Sequence, residues 1–152
     1  MLVTNHVLSG AVIGAASRRP VPAFALAVAS HFALDATPHW GKFGRGRRYL
    51  RVAVSDGLVG LAVMGAMAVV APRGRRAAVL AGMAGAALPD LNKPSKVFFG
   101  RSPFPRAVDR LHGAIQDEAP HRFKYEVAAA AAFCAAAVAL LRPQAAGSRS
   151  EP

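Results

Sequence analysis

Residues 30–40 read Ser-His-Phe-Ala-Leu-Asp-Ala-Thr-Pro-His-Trp, placing two histidines and a carboxylate within otherwise apolar sequence. On a helix over residues 21–38, His31 and Asp35 stand one above the other, because residues four apart share a helix face. His39 follows one turn later, at the helix end. Imidazole nitrogen and carboxylate oxygen both bind first-row metals, so a His-x-x-x-Asp pair can grip one ion from a rigid surface. The same residues also suit an ion-paired or hydrogen-bonded polar spot at the end of a buried helix.

The elements that must position this pair are helices. A first helix is expected over residues 4–17, with Ser9, Gly10 and Gly14 forming a close-packing face, and Arg18, Arg19 and Pro20 stop it. The second starts near Val21, with Pro22 tolerated in its first turn, and Pro38 ends it. The third, over residues 50–71, carries the longest apolar run, and Pro72 closes it. A short fourth covers residues 77–88. Residues 92–120 hold four prolines and are expected to be irregular apart from a short surface helix over 105–115. A fifth long helix covers 121–141, and residues 143–152 form a disordered tail. The expectation is one all-α domain over residues 1–142, an alanine- and glycine-rich bundle of about five helices.

Composition bears on the surroundings of that bundle. The 152 residues are 53% hydrophobic with a mean hydropathy of +0.29, on the border between soluble and membrane proteins. A full bilayer crossing takes about 20 apolar residues; the third and fifth segments approach that, and the others are shorter. The expected arrangement is five membrane-embedded helices in contact with membrane lipids, the alternative being a soluble helical enzyme whose central helices are buried on all sides. The formal charge of +11 suits either nucleic acid or anionic lipid. Aromatic residues make up only 7% and do not interleave with the basic clusters, which argues against a nucleic-acid partner. Cys134, the single cysteine, is expected to pack in the core. The first apolar stretch has no basic segment before it and contains His6, so it does not read as a cleavable signal peptide.

If consecutive helices alternate in direction, as short connections require, the polar residues converge. His6, His31, Asp35, His39, Asp56, Asp90, His112, Asp117, Glu118 and His121 then share one side, and this includes all five histidines. Twelve of the nineteen Lys and Arg residues fall on that side, among them Arg45, against seven opposite, among them Arg149. The positive-inside rule therefore places the site on the cytoplasmic side of the membrane.

An ion held by three protein ligands with one open position lowers the pKa of bound water from 15.7 to about 7. His31, Asp35 and Asp90 are the first candidate ligands, followed by His6 and His39. Zinc suits this set best, and manganese or iron also accept mixed nitrogen and oxygen donors. Asp56, Glu118 and His121 are candidates for acid/base or supporting roles. His112 and Asp117 read as exposed loop residues as readily as site residues. No Gly-x-Ser-x-Gly elbow and no phosphate-binding glycine loop is present, which argues against serine hydrolase and nucleotide chemistry.

Asn5-His6-Val7-Leu8-Ser9-Gly10 resembles the early His-x-x-x-Gly signature of the YdjM-like, inner-membrane-associated metal-dependent hydrolases. Ala87-Leu88-Pro89-Asp90-Leu91-Asn92 resembles that family's Leu-Pro-Asp-hydrophobic-Asp motif. The stretch with His31, Asp35, Pro38 and His39 is similar to the family's His-x-x-Leu-Asp element and to a zinc-ligand helix of zinc-dependent phospholipases C and related single-strand nucleases. The resemblance implies an all-helical metal hydrolase acting on a phosphoester or lipid-linked substrate. This chain departs from the pattern at Asn92, where the second aspartate stands, and at Lys93, where a histidine is expected. The His-Arg-Gly-x-x-His element is only echoed, by His112 and by Pro120-His121-Arg122. These departures imply a one-metal site or a site without turnover. The rival reading is a non-catalytic membrane protein whose polar or metal cluster ties helix ends together.

Overall fold

In the computed structural model, which describes residues 1–42 and 46–142, α1 (Val3–Ser17) is the central element. It packs against α2 (Pro20–Asp35), α3 (Arg47–Val70), α4 (Arg73–Ala87) and α7 (Phe123–Leu141). The 143–152 tail, Arg45 and Arg149 lie outside the described residues. The fold is helical as expected, but the described residues form seven α-helices rather than about five. A 3₁₀ turn over Leu88–Leu91 follows α4, and the stretch expected to be mostly irregular contains α5 (Asn92–Phe99) in addition to α6 (Arg106–Ala114), which falls where the short helix over 105–115 was expected. Prolines punctuate these elements: Pro89 lies in the first turn of the 3₁₀ segment and Pro105 immediately precedes α6.

Helix bounds differ from expectation for local reasons. Helix α2 stops at Asp35 because the residue before Pro38 is steered out of helical geometry, and residues 36–37 close with turn hydrogen bonds to Phe32 and Leu34. Helix α4 starts directly after Pro72, since arginine is a good helix former and the 73–76 cluster continues a helix rather than interrupting it. Two of those arginines also serve neighbouring helices. Arg76 donates to the carbonyls of Val69 and Ala71 at the end of α3, and Arg75 donates to Leu140 at the end of α7. Cations there satisfy carbonyls that have no intrahelical partner.

Small residues govern the contact between α1 and α4. A Cβ on Gly10 would lie 2.4 Å from the carbonyl oxygen of Gly82, and one on Gly82 would lie 2.2 Å from that of Gly10. The two backbones therefore meet without intervening side chains. Around this seam the core is modest, consisting of Val7, Ala11, Ala15, Ala71, Val79 and Met83. Most large apolar side chains of α3 and α7 face outward instead. Leu58, Leu61, Val69 and Val70 on α3, and Val127 and Val138 on α7, are about half exposed or more. Both helices are long and apolar enough to cross a membrane, and almost none of either is buried. Cys134 is exposed on α7 rather than packed in the core, because the alanine-rich run around it meets little of the protein.

One more link holds the ends together. Strand β1 (His39–Trp40) pairs in parallel with β2 (Glu118–Ala119), His39 opposite Glu118. The Asp117 N–H also donates to the Asp35 carbonyl. These bonds draw the segment between α6 and α7 onto the end of α2.

Candidate metal centre

His31, Asp35, Asp90 and His112 meet in the interior, each offering a ligand atom, with those atoms all within 4.8 Å of one another. Helix α2 supplies the first two, one turn apart. The 3₁₀ turn after α4 supplies Asp90, and α6 supplies His112. His31 and Asp35 are fully buried, and His112 and Asp90 nearly so.

The distances describe a shell of donors around a common point. His31 Nε2 lies 3.1 Å from His112 Nε2 and 3.2 Å from Asp35 Oδ2. His112 Nε2 lies 2.9 Å from Asp35 Oδ2. Asp90 Oδ1 lies 3.5 Å from His112 Nε2 and 3.8 Å from His31 Nε2. Metal–nitrogen and metal–oxygen bonds of 2.0–2.2 Å in a tetrahedron put neighbouring donors about 3.4 Å apart. The observed spacings bracket that value.

Protonation sharpens the point. His31 Nδ1 donates to the carbonyl of Ala86 at 2.7 Å, which fixes the tautomer and leaves a lone pair on Nε2 in the neutral ring. That lone pair faces another imidazole nitrogen and two carboxylate oxygens. His112 Nε2 can give a proton to that lone pair or to Asp35, and Gln116 and Lys93 donate to the two carboxylates, whereas a cation at the centre would contact all four atoms at once.

Neighbouring groups complete the surroundings. His6 stacks on His31 with ring centroids 3.8 Å apart, and its Nε2 lies 3.0 Å from Asp35 Oδ1. The buried Nδ1 of His6 has no partner among the described residues. Gln116 Nε2 donates to Asp35 Oδ2 at 2.7 Å, and the Met1 nitrogen lies 2.7 Å from Asp35 Oδ1. Lys93 Nζ stands 2.7 Å from Asp90 Oδ1. Burial alone would raise the Asp90 carboxyl, but the Lys93 ammonium and nearby imidazoles outweigh it and hold Asp90 below the usual carboxylate range. Lys93 is driven upward by the same pairing, against the effect of its own burial.

The other expected site residues are placed elsewhere. His39 is buried but stands one residue removed from the cluster. Its Nδ1 faces the Thr37 carbonyl at 2.7 Å, and its Nε2 faces Gln116 Oε1 at 3.1 Å. Both neighbours are acceptors, so the ring must carry two protons to satisfy them. Burial would lower its pKa, but the Glu118 carboxylate, the Thr37 carbonyl and Asp35 overcome that and raise it. Glu118 lies 3.8 Å from His39 and is lowered by it in turn. Asp56 accepts from the backbone N–H groups of Val3 and Thr4 and from the Thr4 hydroxyl, so it caps the N-terminus of α1. His121 is exposed in the turn before α7.

His112 is not the exposed loop residue its setting suggested; it is buried in α6 against His31 and Phe32. Two signals pointed to it: its place among five histidines on one side, and its echo of the His-Arg-Gly-x-x-His element. Glu126, also unforeseen, is a buried carboxylate on α7 that accepts from Leu2 N, Asn5 Nδ2 and Trp40 N. No family model, curated protein or solved structure matches the chain.

Proposed function

We propose that the chain is a membrane-embedded, metal-dependent hydrolase, related to the YdjM-like group, that acts on a phosphoester or lipid-linked substrate. The observation that carries the reading is the convergence of His31, Asp35, Asp90 and His112 in the interior, with two imidazole nitrogens 3.1 Å apart. A mixed nitrogen and oxygen set suits zinc, with manganese or iron also accommodated, and such an ion supplies a water made acidic enough to deprotonate near neutral pH.

The chain's own groups have definable parts in this reading. His31 and His112 would turn Nε2 to the ion, the first ring held in place by the Ala86 carbonyl. Asp35 is oriented by Gln116 and His6. Asp90 and Lys93 form the edge of the cluster nearest the surface, since Lys93 is about one-third exposed. An ammonium at that edge suits an anionic phosphoester. Membrane placement is supported by the outward apolar faces of α3 and α7, two helices long and apolar enough to cross a bilayer.

A second reading, a metal bound for structure, is favoured by the burial of all four donors and by their origin on three separate segments, which an ion would tie together. One experiment tests both. Metal content is measured on detergent-purified protein, wild type and His31→Ala/Asp35→Ala, followed by assays on a chromogenic phosphodiester and on phospholipid vesicles. About one divalent ion per chain, lost in the variant, together with metal-dependent turnover, is expected. Well-folded wild type without stoichiometric metal under metal-replete conditions overturns both readings, and bound metal without turnover selects the second.

A further inference from the structure

A second feature lies on the other flank of α1. Helices α3 and α7 each lean on α1, and between them opens a cleft of about 440 Å³ floored by the first turn of α1. Its walls follow helical spacing: Arg51 and Val59 lie on one stripe of α3, and Phe123, Val127 and Ala130 on one stripe of α7. From Arg51 to Val59 the cleft runs about 12 Å along α3 at 1.5 Å per residue.

The lining is graded. At the end shared with the metal cluster stand Arg51 and Trp40, whose indole N–H donates to the Pro120 carbonyl and whose ring meets Phe123 edge-on at 4.8 Å. Arg51 is exposed and makes no ion pair among the described residues, and Arg47 and Arg48 on the preceding turn are exposed as well. Deeper in, the walls are aliphatic. Two carboxylates also border the cleft, but both are engaged by α1. Asp56 caps its first N–H groups, and Glu126 accepts from Leu2 and Asn5. Both carboxylates lie against the N-terminal turn of α1, while Arg51, with Arg47 and Arg48 on the turn before it, places positive charge at the mouth.

From this geometry we infer that the cleft seats an anionic phospholipid, its phosphate at Arg51 and one acyl chain between α3 and α7. The site rests on the membrane reading above, because both walls are the helices that would face lipid, and it is independent of the metal centre. Arginine and tryptophan at one end suit the headgroup level of a bilayer, and the aliphatic stripes suit the chain below it. The charge at the mouth selects against zwitterionic lipid, since one arginine near an anionic surface contributes about 1 kcal/mol, or roughly a fivefold preference.

Trp40 is the only tryptophan and lines the cleft, so its fluorescence reports occupancy. The protein is reconstituted into phosphatidylcholine nanodiscs containing a rising fraction of chain-brominated phosphatidylglycerol or, separately, chain-brominated phosphatidylcholine. Half-quenching is expected at a mole fraction about fivefold lower for phosphatidylglycerol. Arg51→Gln should remove that difference, Arg51→Lys should keep most of it, and Ala130→Phe should weaken quenching by filling the cleft. Equal quenching by the two lipids in the wild type overturns the anionic site while leaving the membrane reading intact. Absence of quenching by either lipid, with protein that fails to float with vesicles, overturns both.

Discussion

At the residue scale, the chemistry centres on Asp35, whose two oxygens are contacted by His6, His31, His112 and Gln116. A carboxylate so placed both binds a cation and orders the rings around it. His112→Ala should therefore abolish metal binding as completely as His31→Ala, measured as metal per folded chain. His6→Ala should retain stoichiometry with affinity lowered about 10- to 100-fold, the usual effect of losing a group that orients a ligand. Equal loss in both variants would place His6 among the ligands.

His39 and Glu118 make a separate residue-scale prediction. Glu118 is lowered from an ordinary value of 4.5, so its contribution to stability is present above that value and is lost as pH falls through its folded pKa. His39 is raised from 6.5, so its contribution is full below 6.5 and is lost as pH rises through its folded pKa. The pair therefore stabilises most between about pH 4.5 and 6.5. Thermal unfolding in detergent of wild type against Glu118→Gln should differ most in that window and converge at higher pH. A constant difference across the range would mean that the contact is not ionic.

At the scale of elements, the α1–α4 seam sets the position of the cluster. Helix α1 carries His6 and α4 leads into Asp90, so their separation fixes how far apart those groups stand. Gly82→Leu would drive a side chain into the Gly10 carbonyl and should cost about 3 kcal/mol or more. Gly65→Leu is the control, since nothing lies within 4 Å of a Cβ there, and it should leave unfolding almost unchanged. Comparable losses at both positions would mean that the cost at Gly82 does not come from close packing, since leucine is a better helix former than glycine at either site. Metal content should fall along with stability in Gly82→Leu, because the seam and the site share α1.

At the scale of the whole molecule, the decisive property is the outward face of α3 and α7. Cys134 reports on it, being exposed and about 11 residues into α7, or roughly 16 Å from its start at 1.5 Å per residue. A thiol facing hydrocarbon is out of reach of a reagent confined to water. In membranes Cys134 should resist a water-soluble maleimide and should label readily after solubilisation in sodium dodecyl sulfate. Rapid labelling in intact membranes would place α7 in water.

Much of this was determined locally. The 3.6-residue turn puts His31 and Asp35 on one face whatever surrounds them, proline and glycine positions bound the long helices, and alternating helix directions gather His6, Asp35 and Asp90 at one end. Sequence could not decide which gathered residues touch. His39 read as a candidate ligand and His112 as an exposed loop residue as readily as a site residue, yet the docking of α6 buries His112 against His31, while the β1–β2 pairing holds His39 behind Gln116. Asp56 looked like a site carboxylate and instead caps α1, because α3 begins well beyond the end of α1 and lays residue 56 beside its first turn. Such outcomes depend on the relative placement of helices to within a few ångströms. That placement is set by backbone contacts such as Gly10 on Gly82, between residues far apart in the chain, which helical periodicity does not encode.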